Sequence, residues 1–166
     1  MDAAARRTAL SLHVAVSVGW LGAVLALLSL AAAAVSTHDP VRLHALYLSL
    51  DLGTRWAALP LCVAALLTGL LQSWITPWGV LRHWWVVAKL TITVLAGVLL
   101  LAHLPVLAAL ASASPEALLE DPTLRRSRVQ MVLAPGAASL ALGAATALSV
   151  FKPRGLTPRG RKAARP

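Results

Sequence analysis

This sequence predicts an all-α, polytopic membrane protein: four transmembrane helices in an antiparallel bundle, with the N and C termini cytoplasmic. Three observations predict it. The 166 residues are 58% hydrophobic and only 13% charged, whereas soluble domains carry about 25% charged residues. The apolar residues fall into four runs, each about the 20 residues needed to cross a bilayer core. The formal net charge of +9 falls wholly on one side if both termini are cytoplasmic, and the other side is neutral. That is the distribution the positive-inside rule expects.

The first span covers about residues 10–35. It starts after Arg6 and Arg7 and runs from Leu10 to Val35 without a charge. A signal peptide has an apolar core of about 7–15 residues, so this longer run is expected to stay uncleaved despite the AAAAVS that ends it. Gly19 with Ala23 and Gly22 with Ala26 would allow close helix packing. Ser36 to Asp51 reads as a polar connection carrying His38, Asp39, Pro40, Arg42 and His44, with HALYLSL lying along the surface.

The second span covers about residues 56–75, with Asp51 and Arg55 spaced i, i+4 at its mouth and Pro60 in its first turns. TPWG, from Thr76 to Gly79, is a turn that makes a hairpin of spans two and three. Trp74, Trp78, Trp84 and Trp85 cluster around it as an aromatic belt. The third span covers about 84–108. Lys89 lies one turn inside it, and Pro105 is expected to kink or end it. Ser112 to Arg128 is a polar loop of balanced charge. The fourth span, about 129–151, holds Pro135 near its start and a small-residue stripe of Ser139, Gly143 and Ala147. Residues 1–151 thus form the transmembrane domain. KPRGLTPRGRKAARP, residues 152–166, reads as a basic, disordered cytoplasmic tail.

The distribution of charge also sets the expected partners. A basic tail gains from anionic lipid at the membrane surface. No basic patch is interleaved with aromatics, so nucleic acid is not an expected partner. The expected location is the cell membrane, multi-pass, with a homo-oligomer or a membrane partner protein left open. The lone Cys62 sits in an apolar run and forms neither a disulfide framework nor a CxxC pair.

Depth sorts the polar residues into two layers. The layer near the termini takes His13 and Ser17 from span one, Thr68 and Gln72 from span two, Lys89 from span three, and Thr146 and Ser149 from span four. His13, Gln72 and Lys89 are its ligand candidates, because ionisable groups in a membrane are functional candidates by default. The simpler alternative is that Lys89 snorkels and His13 bonds a backbone carbonyl. The opposite layer holds Asp51, Arg55, His103, Arg128 and Gln130, with Asp51, Arg55 and His103 as candidates. Lys89 and His103 are separated by about 21 Å along the helix axis, so no small ligand bridges them.

A b-type haem needs two facing histidines at one depth, and the candidates are His13, His83 and His103. No resident cofactor is predicted, and haem b stays open as the alternative. Copper has only Cys62, Met1 and Met131 as soft ligands. No nucleophile–base motif, phosphate loop or paired carboxylates occur in the spans, so an enzyme is not expected. The expected function is a non-enzymatic accessory or small-molecule-handling membrane component. The alternatives are a haem- or metal-binding redox protein and an oligomeric transporter.

SLHVAVSVGWLG, DLGTRWAALPL with LLTGLLQS, TPWGVLRHWWVVAKL and LSVFKPRGLTPRGR resemble an uncharacterised family of small actinobacterial four-helix integral membrane proteins. That family is distantly similar to the membrane part of CopD-type copper-resistance proteins. The resemblance runs from about Leu10 to Arg161 and is most specific in TPWG…HWWVVAKL and the KPRG tail. It implies a polytopic membrane protein without an assigned activity. His13 and Lys89 match positions that recur in the CopD-like pattern. The histidine often found before the glycines of span four is replaced here by Ala134 and Pro135, which weakens a haem or copper assignment.

Overall fold

The computed structural model describes residues 3–76, 79–151, 153 and 155–162. Trp78 of the expected aromatic belt, and Lys152, Arg154 and residues 163–166 of the tail, lie outside the described residues. The elements are α1 (Ala3–Ser36), α2 (Pro40–Gly53), a π-helical turn (Thr54–Ala58), α3 (Leu59–Ile75), α4 (Trp84–Ser112), α5 (Pro115–Glu120), α6 (Pro122–Phe151) and α7 (Pro158–Lys162). The described residues contain no strand beyond an isolated bridge between His83 and Leu156. Four helical stretches are long and apolar enough to cross a membrane: Ala4–Ser36, Pro40–Ile75, Trp84–Ser112 and Pro122–Phe151.

The second stretch differs from the sequence expectation. The helix begins at Pro40, where a surface connection was expected, and runs unbroken to Ile75. Its start has a clear local cause. Asp39 is in extended backbone and its carboxylate accepts from the amides of Val41 and Arg42, at 3.0 and 3.3 Å. Pro40 follows at the first helical position, where its missing N–H costs nothing. Leu43, Tyr47 and Leu50, at helical spacing, are buried. At 1.5 Å per residue this 36-residue stretch is about 54 Å long, well beyond a 30 Å hydrocarbon core.

The π-turn has an equally local cause. A proline ring clashes with the carbonyl four residues back, and Pro60 stands at the second position of α3. The helix widens just before it, and the Leu59 amide donates to the Thr54 carbonyl five residues earlier. Pro105 and Pro135 are carried within α4 and α6, and α4 continues past Pro105 to Ser112.

Two apolar clusters hold the bundle. One joins Leu27, Ala31 and Ala34 of α1 to Leu43, Tyr47 and Leu50 of α2, Leu107 and Leu110 of α4, Leu118 of α5 and Met131 of α6. The other joins Trp20 and Val24 to Cys62, Ala65 and Leu142. Ala31, Ala34 and Ala58 are fully buried, the small residues on which helices come close. The glycine stripes expected from the sequence contribute less: a Cβ at Gly22 or Gly143 would meet open space, and Gly19 faces Leu61 at ordinary contact distance. Trp56, Trp74, Leu140 and Phe151 lie on the outer surface, largely exposed. Lipid would solvate such a surface; water would not.

The C-terminal segment is the second departure. Where the sequence suggests disorder, residues 155–162 pack on the Val80–His83 connection and form α7. The physical reason is hydrogen bonding: Thr157, nearly fully buried, satisfies the carbonyls of Leu81 and Arg82.

Candidate functional site

His13 and Thr68 are brought together, with Nδ1 and Oγ1 at 3.0 Å. The Thr68 hydroxyl has one proton, and Oγ1 donates it to the Ala64 carbonyl at 2.7 Å. With that proton on the Ala64 carbonyl, Thr68 accepts from Nδ1–H of His13; the direction of this bond follows the ring tautomer. In the neutral ring Nε2 is then the acceptor. Gly69 gives the imidazole its space: a Cβ there would lie 3.1 Å from Cε1 and 3.8 Å from Nε2. His13 thus bonds a side chain of α3, where a backbone carbonyl was the simpler expectation.

Gln72 is one turn beyond Thr68 on the same face of α3. Its Oε1 is buried with no hydrogen-bond partner among the described residues. Such an atom costs about 1–3 kcal/mol if it stays unpaired. Lys89 of α4 is half-buried, its Nζ 5.9 Å from the Trp85 ring centroid, a cation–π distance. Its charge also reaches the His13 ring. Three of the seven residues of this layer thus form one neighbourhood with Lys89 beside it. Thr146 and Ser149 donate to the carbonyls of Leu142 and Ala145 on their own helix.

The candidates at the other end separate. Arg55 Nε donates to both Asp51 oxygens at 2.9 Å, an exposed i, i+4 pair. His103 Nδ1 donates to the Leu99 carbonyl at 2.6 Å, which leaves Nε2 to accept from Gln130 Nε2 at 3.5 Å. Among the described residues no hydrogen bond or ion pair joins His103 to Asp51 or Arg55.

The central polar residue at that end is Arg128, which the sequence placed in the layer but did not single out. It is buried. Nη1 donates to the Leu118 carbonyl at 3.0 Å and Nη2 to the Ala34 carbonyl at 3.2 Å. Both carbonyls belong to last turns, of α5 and α1, where intrahelical donors run out and a cation is favoured. Tyr47, fully buried, lies beside the guanidinium. A signal for Arg128 existed: Arg128, Met131, Leu142 and Ala145, the buried positions of α6, share one helical face, and Arg125 and Arg126 fall off it.

The haem candidates are spread along the bundle. His83 and His103 are twenty residues apart on one helix axis, about 30 Å, too far to share an iron. His83 is the N-cap of α4, its ring 6.4 Å from Trp85. Among the described residues no three His, Cys, Asp or Glu come together as a metal site. An open concavity of about 640 Å³ runs along α6, lined by Arg125, Arg126, Val129 and Gln130, away from the His13 neighbourhood. The chain matches no protein-family model, no curated protein and no solved structure.

Proposed function

We propose that this protein is a non-enzymatic, multi-pass component of the cell membrane that binds a small polar molecule at the His13–Thr68–Gln72 seam, with Lys89 at its edge. The four spans run antiparallel, both termini face the cytoplasm, and the seam lies near the cytoplasmic surface. The contact between His13, early in α1, and Thr68, late in α3, supports opposed directions for those two helices. The sorting of the +9 charge supports the orientation. The resemblance to small actinobacterial four-helix membrane proteins belongs to this reading, and His13 and Lys89, which match positions of the distantly similar CopD-like pattern, lie at the seam and at its edge.

One observation carries the ligand: the buried, unpartnered Gln72 Oε1, one turn along α3 from the Thr68 that bonds His13. An unpaired carboxamide oxygen suits a solute that donates N–H or O–H bonds, and Lys89 suits an acidic group on it. The test is native mass spectrometry and an absorption spectrum of the purified full chain. The expected result is a colourless protein that retains a small molecule, lost in Gln72→Leu and His13→Ala. A Soret band abolished by His13→Ala would replace this reading with the haem one. Identical spectra and identical bound mass in all three proteins would overturn it.

A further inference from the structure

The docked C-terminal segment makes a surface that a free tail would not. Thr157 Oγ1 donates to the Leu81 carbonyl at 2.6 Å, and the Thr157 amide donates to the Arg82 carbonyl at 3.0 Å. The Trp84 amide donates to the Gly155 carbonyl at 3.3 Å, and His83 and Leu156 pair as an antiparallel bridge. The Gly160 amide returns to Thr157 Oγ1 at 3.1 Å, closing the first turn of α7. Gly160 is buried, and a Cβ there would fall onto the Arg82 carbonyl, so the turn seats only with glycine. Thr157 and Gly160 face the protein, while Arg159, Arg161 and Lys162 are exposed. Arg82, on the connection beneath, is exposed as well. Trp84 packs beside Gly155 and is 57% exposed, a ring suited to the headgroup boundary.

We propose that Arg82, Arg159, Arg161 and Lys162 form a fixed cationic plate, edged by Trp84, that binds the phosphate headgroups of anionic lipids, with Thr157 and Gly160 as its latch. The proposal rests on the reading that this end faces the anionic cytoplasmic leaflet. A flexible polybasic segment must be ordered when it engages lipid. Here the hydrogen bonds of Thr157 have already ordered it, so the cations meet the headgroups as a set.

The test is native mass spectrometry of the full chain in detergent, titrated with phosphatidylglycerol or phosphatidylcholine. Limited trypsin digestion reports release of the latch. The wild type is expected to retain phosphatidylglycerol preferentially, and R159Q/R161Q/K162Q to lose about fivefold or more of that preference, the equivalent of one surface cation. Gly160→Val and Thr157→Val keep every charge. They are expected to be cut faster at Arg159 and Arg161 and to lose a similar factor. If they are released yet keep the wild-type preference, the plate is overturned and a free basic tail suffices. If neither is cut faster than wild type, the latch is overturned. If the triple variant keeps the preference, the plate is overturned, while the orientation on which it rests is read separately by cysteine labelling in intact cells.

Discussion

Arg128 Nη2 donates to the carbonyl of Ala34 at 3.2 Å, across 94 positions of sequence. With its second bond to Leu118, one guanidinium closes the ends of α1 and α5 and fixes both against α6. A buried arginine without a carboxylate is usually expensive. Here two helix-terminal carbonyls, each short of a donor, supply the compensating partners. Arg128→Ala orphans both carbonyls and is expected to destabilise by about 2 kcal/mol or more. Arg128→Lys, with its charge intact but without the planar fork, should recover only part. Thermal unfolding in detergent reads the order wild type, lysine, alanine; an alanine variant as stable as wild type would refute the clasp.

The His13–Thr68 bond predicts coupling between α1 and α3. Side-chain hydrogen bonds between membrane helices are worth about 0.6 kcal/mol on average and up to about 1.7. A double-mutant cycle with His13→Ala and Thr68→Val should give a coupling energy in that range, and a coupling of zero would mean the pair does not hold in solution. Gly69→Val should mimic His13→Ala, because the new side chain would occupy the space of the imidazole.

A pH dependence follows at the start of α6, outside the spans. The Thr123 hydroxyl and then the Thr123 amide, donating at 2.7 and 2.8 Å, hold the Asp121 carboxylate below its ordinary value of 3.8. A depressed folded-state pKa contributes stability above the unfolded value and loses it as pH falls through the folded one. Asp121→Asn should therefore be less stable than wild type near neutrality, and the gap should close below about pH 4. The carboxylate is open to solvent, so the effect is small. Melting curves from pH 3 to 7 test it; a gap that widens on acidification has the wrong sign.

Local chemistry was legible in the sequence, and long-range pairing was not. Four apolar runs with few charges identify four membrane-length helices because hydrocarbon length sets them. The helix from Pro40 was readable too, since Asp39-Pro40 is a cap followed by a first-turn proline and Leu43, Tyr47 and Leu50 repeat at helical spacing. His38, Arg42 and His44, interleaved with these positions, give the segment the composition of a polar connection. His13 and Thr68 could be assigned to one depth by counting residues, but their contact depends on the rotation of α1 against α3. The tail reads as disordered from composition alone because its order comes from carbonyls 75 and 76 positions away.

The central claim is that four apolar helices cross the bilayer with the cationic end inside. Cysteine labelling in intact cells tests it most directly, in a Cys62→Ala background, with a membrane-impermeant maleimide on Asp121→Cys or Arg161→Cys. The account predicts that D121C is labelled from outside and R161C only after permeabilisation. Labelling of R161C in intact cells would contradict it.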